Sequence, residues 1–197
     1  MPNQQAKITM AFGKRGSGKT TKVRELTKHL PRILYYDTLG RDYRDGVVCE
    51  TLAELKVFWL KVYRGNFRIV YRPADPQADV AAVCRLVRAA GDMMFVVEET
   101  DLYFKQGDAC PEFKMLIQRG RHAGVDMICV TQRPKGFGRL LTSQTDDFHL
   151  FATREPDDLA YFRARCGDAV AERLPNLGLY ESYYYNDYET SGNADAD

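Results

Sequence analysis

No two cysteines of this chain are spaced to act together. Cys49, Cys84, Cys110, Cys129 and Cys166 are odd in number and never form a Cys-x-x-Cys pair. That excludes a disulfide framework and a zinc site, and predicts reduced thiols in a cytosolic protein. An excess of one charge is also missing. With a formal net charge of +1, bulk electrostatics neither favour nor oppose a nucleic-acid partner, so any basic footprint must be local. The longest apolar runs, such as Met93–Val97, fall far short of the roughly 20 residues a bilayer span requires, so no membrane insertion is expected. The opening MPNQQAKITM has neither the basic nor the apolar region of a secretory leader. No internal repeat is visible. Neither Asn-Lys-x-Asp nor Thr-Lys-x-Asp occurs, which removes the guanine reader of a GTPase. Asp37–Gly40 (Asp-Thr-Leu-Gly) therefore matches the GTPase metal motif by chance. The glycine-loop and catalytic-loop patterns of protein kinases are absent as well.

What is present suits one α/β domain over residues 1–187, followed by a small, acidic tail, 188–197, expected to be disordered. Strands are predicted at Ile8–Phe12, Arg32–Tyr36, Phe67–Tyr71, Met93–Val97, Met127–Thr131 and Phe148–Thr153, with a final aromatic edge strand at Leu179–Tyr185. Val23, Leu26 and Leu30 recur at helical spacing before Pro31. Thr51 and Glu54 form a capping box for a helix running to Gly65. Further helices are expected over Val80–Ala90 and Glu112–Gln118, and Pro156 opens a last long one. The alternation of strand and helix implies a mostly parallel central sheet flanked by helices.

Gly13-Lys-Arg-Gly-Ser-Gly-Lys-Thr20 fits the phosphate-binding loop pattern G-x-x-x-x-G-K-[ST], between an apolar strand and an amphipathic helix. Its glycines turn backbone amides inward toward phosphate oxygens, and the helix start adds its positive end. Gly13, Gly16, Ser17, Gly18, Lys19, Thr20 and Thr21 are the expected ATP-binding residues. In such a loop the lysine reaches the β- and γ-phosphates and the hydroxyl holds Mg2+.

Glu98 and Glu99 end the buried Met93–Val97 strand. Adjacent carboxylates there divide two tasks: Glu98 orders Mg2+ through water, and Glu99 polarises the attacking water. Gln132 ends another buried strand, which parallel order brings beside the loop, where an amide can report the γ-phosphate. Arg119 and Arg121 are alternative candidates for an arginine finger acting on a neighbouring subunit, with Arg154 a weaker one. Arg119, Arg121, Arg133, Lys135 and Arg139 outweigh the one acid between them, Asp126. Lys135, Phe137 and Arg139, around two glycines, suit gripping a phosphate backbone. A solvated surface loop is the plain alternative.

The order of glycine loop, Glu-Glu strand and "GRHAGVDMICVTQRP", Gly120–Pro134, resembles the FtsK/HerA superfamily of P-loop motor ATPases over roughly residues 6–185. The resemblance implies the additional-strand, catalytic-glutamate type of P-loop fold. It also implies a ring-forming homo-oligomer, often a hexamer, with ATP and Mg2+ at subunit interfaces, moving double-stranded DNA. A chain of 197 residues has no room for the extra modules of the larger branches. It is most similar to the genome-packaging ATPases of membrane-containing viruses. That implies action in the host cytoplasm or at a packaging vertex of the virion, with a portal or capsid-membrane protein as an anchor. The Zot-type phage assembly ATPases are a second resemblance, set back by the lack of a membrane span. A small-molecule phosphotransferase and a nucleotide-gated interaction protein are alternatives of other classes.

Overall fold

The computed structural model describes residues 6–40, 42–103, 110–134 and 139–186, with Arg139 described in its backbone alone. Among these residues, eight strands form one sheet in the order β3-β4-β2-β5-β6-β1-β7-β8. They are β1 Ile8–Phe12, β2 Arg32–Tyr36, β3 Val47–Cys49, β4 Phe67–Tyr71, β5 Met93–Val97, β6 Val125–Thr131, β7 Asp147–Phe151 and β8 Ser182–Asn186. All neighbours are parallel except β8, which runs antiparallel to β7. This is the mostly parallel α/β fold expected, and β6 is the additional strand, hydrogen-bonded between β1 and β5.

Among the described residues, seven helices connect the strands: α1 Lys19–Thr27, α2 Leu52–Val62, α3 Pro76–Ala90, α4 Pro111–Arg119, α5 Arg139–Gln144, α6 Pro156–Cys166 and α7 Asp168–Arg173. The two faces of the sheet are covered unequally. Side chains from α2 through α7 pack on one face, with Trp59, Val83, Phe113, Leu141, Phe162 and Val170 buried against Met10, Phe12 and Phe95. The other face is a smaller core, in which α1 supplies Val23 and the stretch after β2 supplies Tyr43. Alternation along the strands separates the two cores: Phe12 faces one and Ala11 the other. Strands buried on both faces read as unbroken apolar runs, which made most of them visible in sequence.

Several boundaries differ from the sequence reading. Helix α1 ends at Thr27, and Leu26 is 40% exposed; a buried Thr27, whose hydroxyl donates to Val23 O at 2.7 Å, takes the inward place. The helix opened by Pro156 is not one long element. Gly167, at φ +95, breaks it into α6 and α7, a conformation that favours glycine. The last strand begins at Ser182, after a turn rather than at Leu179. Strand β3 and helix α5 had no counterpart in the reading. The segment 188–197 lies outside the described residues.

The capping box is present. Thr51 Oγ1 accepts from Glu54 N at 3.1 Å, and Glu54 Oε2 accepts from Thr51 N at 3.3 Å. Thr51→Ala should lower the unfolding free energy by about 1 kcal/mol. The check is urea denaturation, in which the midpoint falls while the slope stays constant.

Candidate functional site

Parallel order brings the C-terminal ends of β1, β5 and β6 to one edge of the sheet, and the glycine loop crosses that edge. Gly13 N donates to Thr131 O at 3.2 Å, pinning the loop to the end of β6. A Cβ on Gly13 would lie 2.6 Å from both Phe151 Cβ and Ser17 Oγ, so no larger residue fits there. Gly18, at φ +108, turns the chain into α1. The Lys19 ammonium donates to Gly13 O at 2.6 Å and to Lys14 O at 2.9 Å. Burial pushes its pKa down, against the opposing pull of Glu98. Ser17 Oγ is buried and has no hydrogen-bond partner among the described residues. An ammonium held by loop carbonyls, a buried hydroxyl without a partner and a helix start facing open space fit the phosphate groups of a nucleotide.

Beside the loop is a cleft of about 400 Å³, lined by Gly16, Lys19, Thr20, Thr21, Glu98, Glu99 and Gln132 among others. Glu98 is 3% exposed and accepts a hydrogen bond from the Tyr43 hydroxyl at Oε1. Burial pushes its pKa up to about 7, although the Tyr43 bond pulls it down. Glu99 sits in left-handed backbone, at φ +48 and ψ +46, and opens a 3-10 turn over Thr100–Leu102. This conformation is uncommon for a residue with a side chain, and such backbone clusters at functional sites. The Thr38 hydroxyl donates to Glu99 Oε2 at 3.1 Å, fixing that carboxylate. Gln132 is exposed at the end of β6.

Asp37, in the chance Asp-x-x-Gly match, is fully buried. It pairs with Arg72 Nε at 3.3 Å and accepts from Gly40 N at 3.1 Å. Arg72 in turn donates to Tyr43 O at 2.9 Å, and the Tyr43 ring stacks on Tyr35 at 4.2 Å. This segment holds Tyr43 against Glu98. Sequence reading missed Thr38, Tyr43 and Arg72, because nothing local marks a partner 55 residues away.

The arginine candidates are not in this cleft. Arg119 is exposed at the end of α4, and Arg121 follows in a 3-10 turn over Gly120–Ala123. Both lie where β6 begins, at the sheet edge opposite the loop. Arg121 Nη2 is 3.8 Å from Asp146 Oδ1 and lines a separate cavity of about 890 Å³ with Arg32, Gly91 and Asp126. Arg154 donates to Pro175 O at 3.3 Å. Of the variable loop positions, Lys14 pairs with Glu155 at 3.3 Å and Arg15 lines the cleft. Lys135, Phe137 and the Arg139 side chain lie outside the described residues.

No protein-family model matches the chain. The chain is 25% identical over 208 residues to the DNA packaging ATPase P9 of Enterobacteria phage PRD1, covering 94% of this chain and 84% of that protein. Its fold is similar to the genome packaging NTPase B204 of Sulfolobus turreted icosahedral virus 2 in complex with ATP-gammaS. The TM-score is 0.78 at 19% identity, over 94% of both chains. A more distant likeness is to ATPases 2 and 3 of EssC from Geobacillus thermodenitrificans, with a TM-score of 0.56 at 11% identity, covering 94% of this chain and 38% of that one.

The raised pKa of Glu98 carries a stability consequence. Between its ordinary value of 4.5 and its folded value of about 7, the folded chain binds more protons than the unfolded chain. Stability contributed by the protonated form is therefore complete below 4.5 and lost as pH rises through 7. Glu98→Gln should melt at a higher temperature than the parent near pH 8, without nucleotide or divalent metal, and at the same temperature below about pH 4. Equal melting temperatures near pH 8 would contradict this.

Proposed function

We propose that this chain is an ATP-driven translocase of double-stranded DNA that packages a viral genome. The observation that carries the reading is the division of the site. Lys19, Glu98, Glu99 and Gln132 meet at one edge of the sheet, while Arg119 and Arg121 lie at the other. A half-site with its arginines turned away is what a ring needs, because each subunit then offers an arginine to its neighbour's nucleotide. The relatives named as viral packaging ATPases, one of them in complex with ATP-gammaS, support the same reading.

In this mechanism the γ-phosphate takes over the hydrogen bonds that Lys19 makes to Gly13 and Lys14. Thr20 and, through water, Glu98 are the residues that would hold Mg2+. The ion, when bound, neutralises charge developing across the β- and γ-oxygens. Glu99 accepts a proton from a water whose oxygen attacks the γ-phosphorus. The bond to the bridging oxygen breaks, and ADP and phosphate result. Thr38 keeps Glu99 aimed, and Tyr43 keeps Glu98 in place. Gln132 contacts the γ-phosphate or its water. A neighbour's Arg119 or Arg121 stabilises the charge of the transition state, and the basic segment around Lys135, Phe137 and Arg139 grips DNA. The partners are further copies of this chain in a ring, DNA, and a viral portal or capsid-membrane protein, in the host cytoplasm.

Steady-state ATP hydrolysis should rise with double-stranded DNA and increase more than linearly with protein concentration. Stimulation by a nucleoside monophosphate, with none by DNA, would instead indicate a phosphotransferase. Glu99→Gln should lower turnover about a hundredfold or more while ATP still binds. Lys19→Ala and Arg121→Ala should each be inactive alone and regain activity when mixed, because intact composite sites then form. If instead Arg121→Ala keeps turnover on its own, while Arg119→Ala is inactive alone and is restored by mixing with Lys19→Ala, Arg119 is the finger.

A further inference from the structure

Beside the cleft, and sharing Tyr180 with it, lies a second cavity, of about 270 Å³. Its lining includes Ser17, Ala152, Arg154, Leu177, Leu179 and Tyr180. Tyr180 borders both spaces. Glu98, Glu99 and Gln132 fix the γ-phosphate end on the β5 and β6 side of the loop. The rest of a nucleotide must therefore leave toward β7 and β8, where this cavity lies.

Tyr180 is unusual in two respects. It has φ +68, uncommon for a bulky residue, and its side chain is 64% exposed. Next to it, Leu179 is 74% exposed. Two large apolar side chains in water, one on strained backbone, are retained at a cost. The turn that carries them is nevertheless held in shape: Gly178 N donates to Glu181 Oε2 at 2.8 Å, and Glu181 N to Gly178 O at 3.3 Å. The Tyr180 ring lies on the glycine loop, so close that a Cβ on Gly18 would stand 2.9 Å from its Cδ1. The buried Ser17 hydroxyl, without a partner among the described residues, borders the same cavity.

We infer that this cavity is the nucleobase site and that the Tyr180 ring is the platform on which the base stacks. The inference rests on the nucleotide reading and deepens it. It also carries a statement about specificity. Among the described residues lining the cavity there is no carboxylate and no carboxamide side chain, so the paired acceptor that a GTPase's aspartate offers the guanine edge is not supplied there. Stacking is tolerant of base identity. The protein therefore takes ATP and GTP with comparable affinity.

Calorimetric titration of the parent, Tyr180→Ala and Tyr180→Trp with ATP, GTP and inorganic tripolyphosphate tests this. Tyr180→Ala should weaken ATP and GTP about ten- to hundredfold. Tyr180→Trp should bind like the parent, and tripolyphosphate, which has no base, should bind all three proteins equally. An ATP affinity unchanged in Tyr180→Ala overturns the platform. So does a matching loss for tripolyphosphate, which would mean that Tyr180 supports the loop through Gly18. A parent that binds ATP more than a hundredfold better than GTP overturns the tolerant readout. A parent that binds tripolyphosphate but neither nucleotide overturns the base site alone, whereas one that binds none of the three overturns the nucleotide reading as well.

Discussion

The hydrogen-bonded insertion of β6 between β1 and β5 is the constraint on which the site depends. Phe12 pairs with Thr131, and Val97 with Cys129. Those two registers set the height of the glycine loop, the Glu98–Glu99 pair and Gln132 relative to one another. Because a parallel strand needs a crossover, each strand end is also the start of a connection, and the chemistry collects where connections leave the sheet. The same strand places its other end, with Arg119 and Arg121 just before it, at the opposite edge. One element thus orders both the glycine-loop cleft and the arginine pair at the far end of the sheet.

Around that frame the polar contacts are long-range and specific. A buried carboxylate against Lys19 gains from the opposite charge, yet burial still raises the Glu98 pKa. Tyr43 opposes part of that shift, and Tyr43 is in turn held by Tyr35, Arg72 and the Asp37 segment. The support behind Glu98 therefore reaches from β2 to β4. Glu99 is held differently, by unusual backbone and by the Thr38 hydroxyl. Adjacent carboxylates can have separate roles because one is buried and the other is half in solvent.

Legibility in the sequence followed the range of the interaction. Strands β1, β2, β4 and β5 were readable to the residue, since apolar runs buried on both faces end abruptly at glycine, proline or charge. The three-residue β3, with Val47 and Val48 exposed, carries no such run, and α5 begins inside a basic segment without apolar periodicity. The break at Gly167 was hidden because a glycine within a helical pattern is ambiguous. The glycine loop and the glutamate pair declare themselves by local pattern. Thr38, Tyr43, Arg72 and Tyr180 do not, because each matters only through residues distant in sequence.

The Lys19 ammonium, seated on Gly13 O and Lys14 O, has a consequence for a machine that empties and refills. A cation left facing an empty cleft would repel its own loop amides and favour unravelling of the helix start. Here it is part of the loop's internal bonding, tied to two carbonyls of the loop it serves. Arrival of a phosphate is then an exchange of acceptors rather than a folding event. The lysine that meets the phosphate is thus positioned by the same carbonyls that shape the loop.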